Sequence, residues 1–140
     1  MGLKRAVITG ILILMGFVAG RALADSPSGW CPLPLGARSV FMEDAPIALR
    51  KMFADYAPPG TNFDIGDVVV TGKREGILFI WSRGNRWVVV GARGGRVTTH
   101  FIFAYRVSAD GSSATPIPGK LGVASGTLCS AAERMLGTKP

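Results

Sequence analysis

Apolar and polar positions alternate most regularly between Gly76 and Arg106, GILFIWSRGNRWVVVGARGGRVTTHFIFAYR. Three β-rich runs are separated there by two glycine-containing breaks, which predicts a three-stranded antiparallel meander. Gly84-Asn85 and Gly94-Gly95 both tolerate the positive φ of primed two-residue hairpin turns. That register sets Arg83 opposite Arg86 and Arg93 opposite Arg96. Side chains alternate along strands, so every residue is then assigned to a face. One face collects Ile77, Phe79, Trp81, Val88, Val90, Ala92, Val97, Thr99, Phe101, Phe103 and Tyr105, and reads as core. The other collects Leu78, Ile80, Trp87, Val89, Arg93, Arg96, His100, Ile102 and Arg106. It is too apolar for open water and too charged for an interior. A second helix or the N-terminal tether could cover it, a partner could cover it, or the sheet could curl toward a barrel.

The flanking patterns are helical. Leu49, Met52, Phe53 and Tyr56 recur at i, i+3, i+4 and i+7, which predicts a helix over Pro46 to Ala57. Asp44 is the expected N-cap, Pro46 suits the first turn and Pro58-Pro59-Gly60 ends the run. This helix is the expected cover of the core face. A second helix is expected from about Thr127 to Leu136, stopped by Gly137. Short strands are expected at Ala37 to Met42 and Val68 to Thr71. Ala114 to Pro118 can be an edge strand at most, since Pro116 and Pro118 lack the N–H a ladder needs.

The first 24 residues change what the composition means. Lys4 and Arg5 precede the uncharged stretch Ala6 to Gly20, and Ala22-Leu23-Ala24 offers small residues at the positions a signal peptidase reads. The uncharged run is 15 residues, short of the roughly 17–25 of a spanning helix. The expectation is a signal peptide over 1–24, then a single exported domain over 25–140, in the periplasm or outside the cell. No transmembrane span is expected after cleavage. The full chain carries a net charge of +7. Without the leader it holds 13 basic and 9 acidic residues, a balance that gives no specific nucleic-acid signal. The charge is unevenly placed: Asp25 to Gly72 is net −3 and Lys73 to Arg106 net +6. Cys31 and Cys129 are the two cysteines. In an oxidising compartment such a pair is expected to bond.

Candidate chemistry is sparse. His100 is the sole histidine, so histidine-rich metal sites are out, and no nucleophile elbow appears. Asp64 and Asp67 in FDIGD are too close and too few for a calcium loop and read as turn chemistry. The glycines of GARGGR lie between strands rather than opening a helix, so they do not form a phosphate cradle. The four meander arginines form two pairs at opposite sheet ends, about 20–25 Å apart. They keep the turns soluble, or offer two contacts to an extended polyanion or an acidic protein surface.

The expected fold is therefore α+β: an antiparallel meander of four or five strands, with one helix before it and one after. No cofactor and no metal are expected. The expected function is a non-catalytic exported binding protein. It would engage a protein or an anionic envelope component through the second sheet face, at Trp87, Arg93, Arg96, His100 and Arg106. A small secreted enzyme of hydrolytic type is the alternative.

Overall fold

The computed structural model describes residues 31–66, 72–119 and 127–137. Strands β1 (Arg38–Ser39), β2 (Glu75–Arg83), β3 (Arg86–Arg93), β4 (Thr99–Val107) and β5 (Ala114–Pro116) form one sheet in sequence order. Every neighbouring pair is antiparallel. The sheet is an open meander, not a closed barrel. Helix α1 (Ile47–Met52) precedes the main strands and α2 (Leu128–Leu136) follows them. The expected strand at Val68 to Thr71 and the leader over 1–24 lie outside the described residues.

The first hairpin forms as its sequence dictates. Arg83 faces Arg86, and Gly84 adopts φ 57° in the two-residue turn. The second break does not. Arg93 faces Thr99 rather than Arg96, so the connection runs over five residues, Gly94 to Thr98. The pairing shift is odd, and it turns every β4 side chain to the other face. Val97 and Thr99 leave the expected core face and are exposed, with Val97 75% accessible. Two contacts hold the longer loop. Gly94 N–H donates to the Arg74 carbonyl at 2.7 Å, and Thr98 Oγ1 donates to the Ile65 carbonyl at 3.2 Å. Gly94 lies so close to the preceding segment that a Cβ there would come 1.8 Å from the Asp64 carbonyl oxygen.

A β-bulge at Leu78 makes a second correction. The register shifts between Ile77 and Phe79, so these two residues pack into different clusters despite their i, i+2 spacing. Both sheet faces are buried at their centres. Phe79, Trp81, Val88, Val90, Ile102 and Ala104 pack against Ala132 and Leu136 of α2. Ile77, Ile80, Val89, Tyr105 and Val107 pack against Ala45, Leu49 and Phe53 around α1. The covers are thus exchanged relative to the expectation: the Trp81 face lies under the second helix, and the Trp87 face under the first.

Helix α1 is shorter than its periodicity implies. Its N-cap is Pro46, with no side-chain cap, while Asp44 belongs to a separate 3-10 turn at Met42–Asp44. Past Met52 the chain is drawn onto the sheet instead. Ala57 N–H donates to the Glu75 carbonyl at 2.9 Å, and Ile77 N–H to the Ala57 carbonyl at 2.8 Å. Two sheet-like hydrogen bonds and the Pro58-Pro59 pair outweigh the propensity to continue the helix. Helix α2 follows its sequence closely: Thr127 accepts from Ser130 N–H as N-cap, and Gly137 closes the helix at φ 84°. Cys31 and Cys129 are disulfide-bonded, with Cα atoms 5.4 Å apart. The bond ties the N-terminal tether to the start of α2, beside the Trp81 cluster.

Candidate interaction surface

The exchange of covers decides which surface stays open. Helix α1 shields only part of its face. Phe101, Phe103 and Tyr105 run along β4 as an aromatic row, with ring centroids 5.1 and 6.5 Å apart in sequence. Phe53 packs on Phe103 and Tyr105 at 6.1 Å each, and Tyr56 meets Phe101 edge-on at 5.6 Å. The row remains open to one side: Phe103 is 37% exposed, and Met52 beside Phe53 is 47% exposed. Burial and the Glu75 carboxylate raise the Tyr56 pKa, and burial raises that of Tyr105, so both phenols stay neutral and the row carries no charge of its own.

Among the described residues, the strand beneath the row has an edge that is paired over part of its length only. Strand β5 pairs with Tyr105, Arg106 and Val107 only. Ile117 N–H then donates to the Ala104 carbonyl at 2.8 Å, which shows that even-numbered residues of β4 turn their backbone groups toward β5. By alternation, the N–H and carbonyl of His100 and of Ile102 point out of the sheet on the same side. Among the described residues nothing pairs with that side of Thr99 to Phe103.

The residues expected to bind a partner do not share one face. Trp87 and Arg93 lie on the α1 face, and His100 and Arg106 on the α2 face. Arg96 sits exposed in the Gly94 to Thr98 loop. Trp87 is half-buried against the Ile80 and Val89 cluster, as ordinary packing would have it. Arg93 is ion-paired to Glu75. His100 is exposed and lines a groove of about 390 Å³ with Phe63, Ile65, Leu78, Ala92 and Thr98. It makes no hydrogen bond to a described serine or aspartate, the contact that a hydrolytic dyad would need. Arg106 stands opposite Arg86, at the other end of the sheet from Arg93 and Arg96. What the structure gathers at one end is the β4 edge, the Phe101–Phe103 row and the cations Arg93 and Arg96.

Phe101 and Phe103 were legible only as core, because a two-residue turn puts them there. The signal that separates the readings is Arg96-Val97-Thr98, a run too polar on one side to begin a buried strand. Asp64 is buried and accepts from Gly72 N–H at 3.2 Å, so this member of the carboxylate pair does serve a turn. Asp67 lies outside the described residues. Among the described residues no group of three or more histidine, cysteine, aspartate or glutamate side chains is placed to hold a metal, and no helix is long and apolar enough to cross a membrane. Comparison with protein-family models, curated proteins and solved structures finds no match to this chain.

Proposed function

We propose that the chain is an exported, non-catalytic binding protein that takes an extended, acidic segment of a partner protein as an added strand on β4. The observation that carries this reading is the outward-facing backbone of His100 and Ile102 beside a half-exposed aromatic row. An open edge is a template for another strand, and natural sheets commonly protect such edges. This one has no proline between Thr99 and Phe103 and no described cover. In strand addition, main-chain hydrogen bonds supply affinity and alternate side-chain contacts supply specificity. Phe101 and Phe103 would receive apolar side chains at every second partner position. Arg96, exposed in the adjoining loop, favours an acidic partner.

Export is supported by the basic start, the 15-residue apolar stretch and the Ala22-Leu23-Ala24 site. The Cys31–Cys129 disulfide adds to it, because such bonds persist in oxidising compartments. Intact-mass measurement of the exported protein should give a chain that begins at Asp25.

The edge is tested by His100→Pro. Its N–H points outward, so proline removes a docking donor without breaking a bond inside the sheet. The probe is a synthetic ten-residue peptide alternating valine and glutamate. Binding, read by fluorescence anisotropy, should survive in His100→Ala and be lost in His100→Pro. Amide exchange at His100 and Ile102 should slow when the peptide is present. Equal binding by both variants, with unchanged circular dichroism, would remove the proposal.

A further inference from the structure

The opposite end of the sheet carries a cluster of arginines. Arg83, Arg86 and Arg106 occupy directly opposed positions on three adjacent strands. Like charges set opposite one another across a ladder are destabilising, so three in a row require an explanation. Arg134, in the last turn of α2, approaches from above. Between the hairpin and the helix lies a groove of about 710 Å³ lined by Leu35, Arg83, Arg86, Ser130, Glu133 and Arg134, with Gly137 at its end.

Part of this charge has a structural use. Arg83 donates to the Gly137 carbonyl, and through Nη2 to the Leu35 carbonyl at 2.8 Å. It therefore satisfies the C-terminal end of α2 and pins the tether. No such use accounts for the others. Arg86 Nε is buried without a hydrogen-bond partner, and so is Arg83 Nε. Neither the Arg86 nor the Arg134 side chain forms an ion pair or a hydrogen bond with any described residue. Among the described lining residues Glu133 is the one carboxylate, and it pairs with none of the arginines. The Arg86 guanidinium lies against the Gly137 backbone, where a Cβ would come 2.5 Å from its Nη1. A half-buried guanidinium whose Nε no described residue satisfies, beside two further arginines, is suited to an anion with several acceptor oxygens.

We propose that this groove binds a phosphate group, held by Arg86 and Arg134 and oriented by the ordered Arg83. The Ser130 hydroxyl lies within the same lining and can add a neutral hydrogen bond. Phosphate fits better than a single carboxylate because its oxygens can engage two planar guanidinium forks from different directions. The site lies toward the other end of β3 from the strand edge, about 13–20 Å along the strand from the positions opposite Ile102 and His100, so the two can be tested apart.

The test titrates the exported chain with sodium phosphate at constant ionic strength, by calorimetry. Vesicles containing phosphatidylglycerol, against phosphatidylcholine vesicles, provide the lipid-headgroup arm. Arg86→Gln and Arg134→Gln should each weaken binding about tenfold or more, the usual effect of losing a charge-assisted contact. Arg50→Gln, an exposed cation on α1, should leave it unchanged. Arg134 is exposed, so its substitution keeps the test valid if Arg86→Gln folds poorly. Saturable phosphate binding sensitive to these variants supports a soluble phosphate compound as ligand. Binding to phosphatidylglycerol vesicles alone, with the same sensitivity, supports a lipid headgroup. No binding in either arm, or binding that Arg86→Gln and Arg134→Gln leave unchanged, overturns the proposal.

Discussion

The β3–β4 register controls the rest of the architecture, and two substitutions test it. Ile102 is 5% exposed and packs in the cluster under α2. Ile102→Ala removes three carbon atoms, at roughly 0.8 kcal/mol for each buried methylene, so about 2.4 kcal/mol is lost in transfer alone. The residual cavity raises the expected loss to about 3 kcal/mol, within the usual range for such truncations. Val97 is 75% exposed in the five-residue loop. Val97→Ser should therefore change stability by less than about 0.5 kcal/mol. A two-residue turn would instead bury Val97 opposite Ala92, and the introduced hydroxyl would cost about 1–3 kcal/mol. Urea unfolding at constant slope resolves the difference. The Ile102→Ala midpoint should fall by about 1–3 M, and that of Val97→Ser should stay put. A Val97→Ser loss comparable with that of Ile102→Ala would refute the five-residue loop and the exchange of faces with it.

Other consequences can be measured separately. The disulfide spans 98 residues, and replacing both cysteines with serine should lower stability by up to about 4–5 kcal/mol in urea unfolding; a loss below about 1 kcal/mol would contradict the expected constraint. Gly94→Ala would drive a Cβ into the Asp64 backbone, so a loss of about 1–3 kcal/mol and disturbed amide signals at Asp64 are expected, against unchanged spectra if the loop lies elsewhere. The Ser108 hydroxyl, then the Ser112 N–H and hydroxyl, lower the Asp110 pKa to about 2. Because the folded value is depressed, the stabilisation is present above the ordinary value of 3.8 and fades as pH falls toward 2. NMR titration should place the Asp110 midpoint near 2, and Ser108→Ala should move it upward; an unmoved midpoint would dismiss the hydroxyl as its main cause.

Local chemistry was the most legible part of this chain. The Gly84-Asn85 turn, the Thr127 cap, the Gly137 stop and the cysteine pair all form where their residue types demand. Each rests on contacts within a few residues or, for the cysteines, on the absence of another partner. What failed depended on tertiary competition. Gly94-Gly95 is an acceptable primed turn, yet the Arg74 carbonyl captures the Gly94 N–H and lengthens the loop. Leu49 to Tyr56 has helical spacing, yet pairing of Ala57 with β2 ends the helix at Met52. The Leu78 bulge leaves no mark in an apolar run, because Ile77, Leu78 and Phe79 are all acceptable on either face. For the candidate surface, one odd shift in register moves a whole strand, so Phe101 and Phe103 read as core and His100 reads onto the face of Arg93, from which the structure separates it.

The mixed character of the Trp87 face has a physical origin in that same competition. Both faces are dry at the centre, so the alternation that distinguishes a wet face from a core face fades between Phe79 and Val90. Polar residues return only where cover ends. Helix α1 has six residues and spans about 9 Å, whereas β4 has nine and spans about 30 Å. A helix continued to Ala57 would have extended this cover by more than a turn, over the ground now left to Phe101 and Phe103. It stops because Ala57 bonds to Glu75 and Ile77, and the exposed aromatic row follows from that stop. The outward-facing backbone of His100 and Ile102 lies beside the same gap, since β5 pairs no further than Tyr105. Among the described residues, two short elements, α1 and β5, thus leave the same stretch of one strand uncovered from two directions, and there an apolar surface meets main-chain donors and acceptors that no described residue pairs.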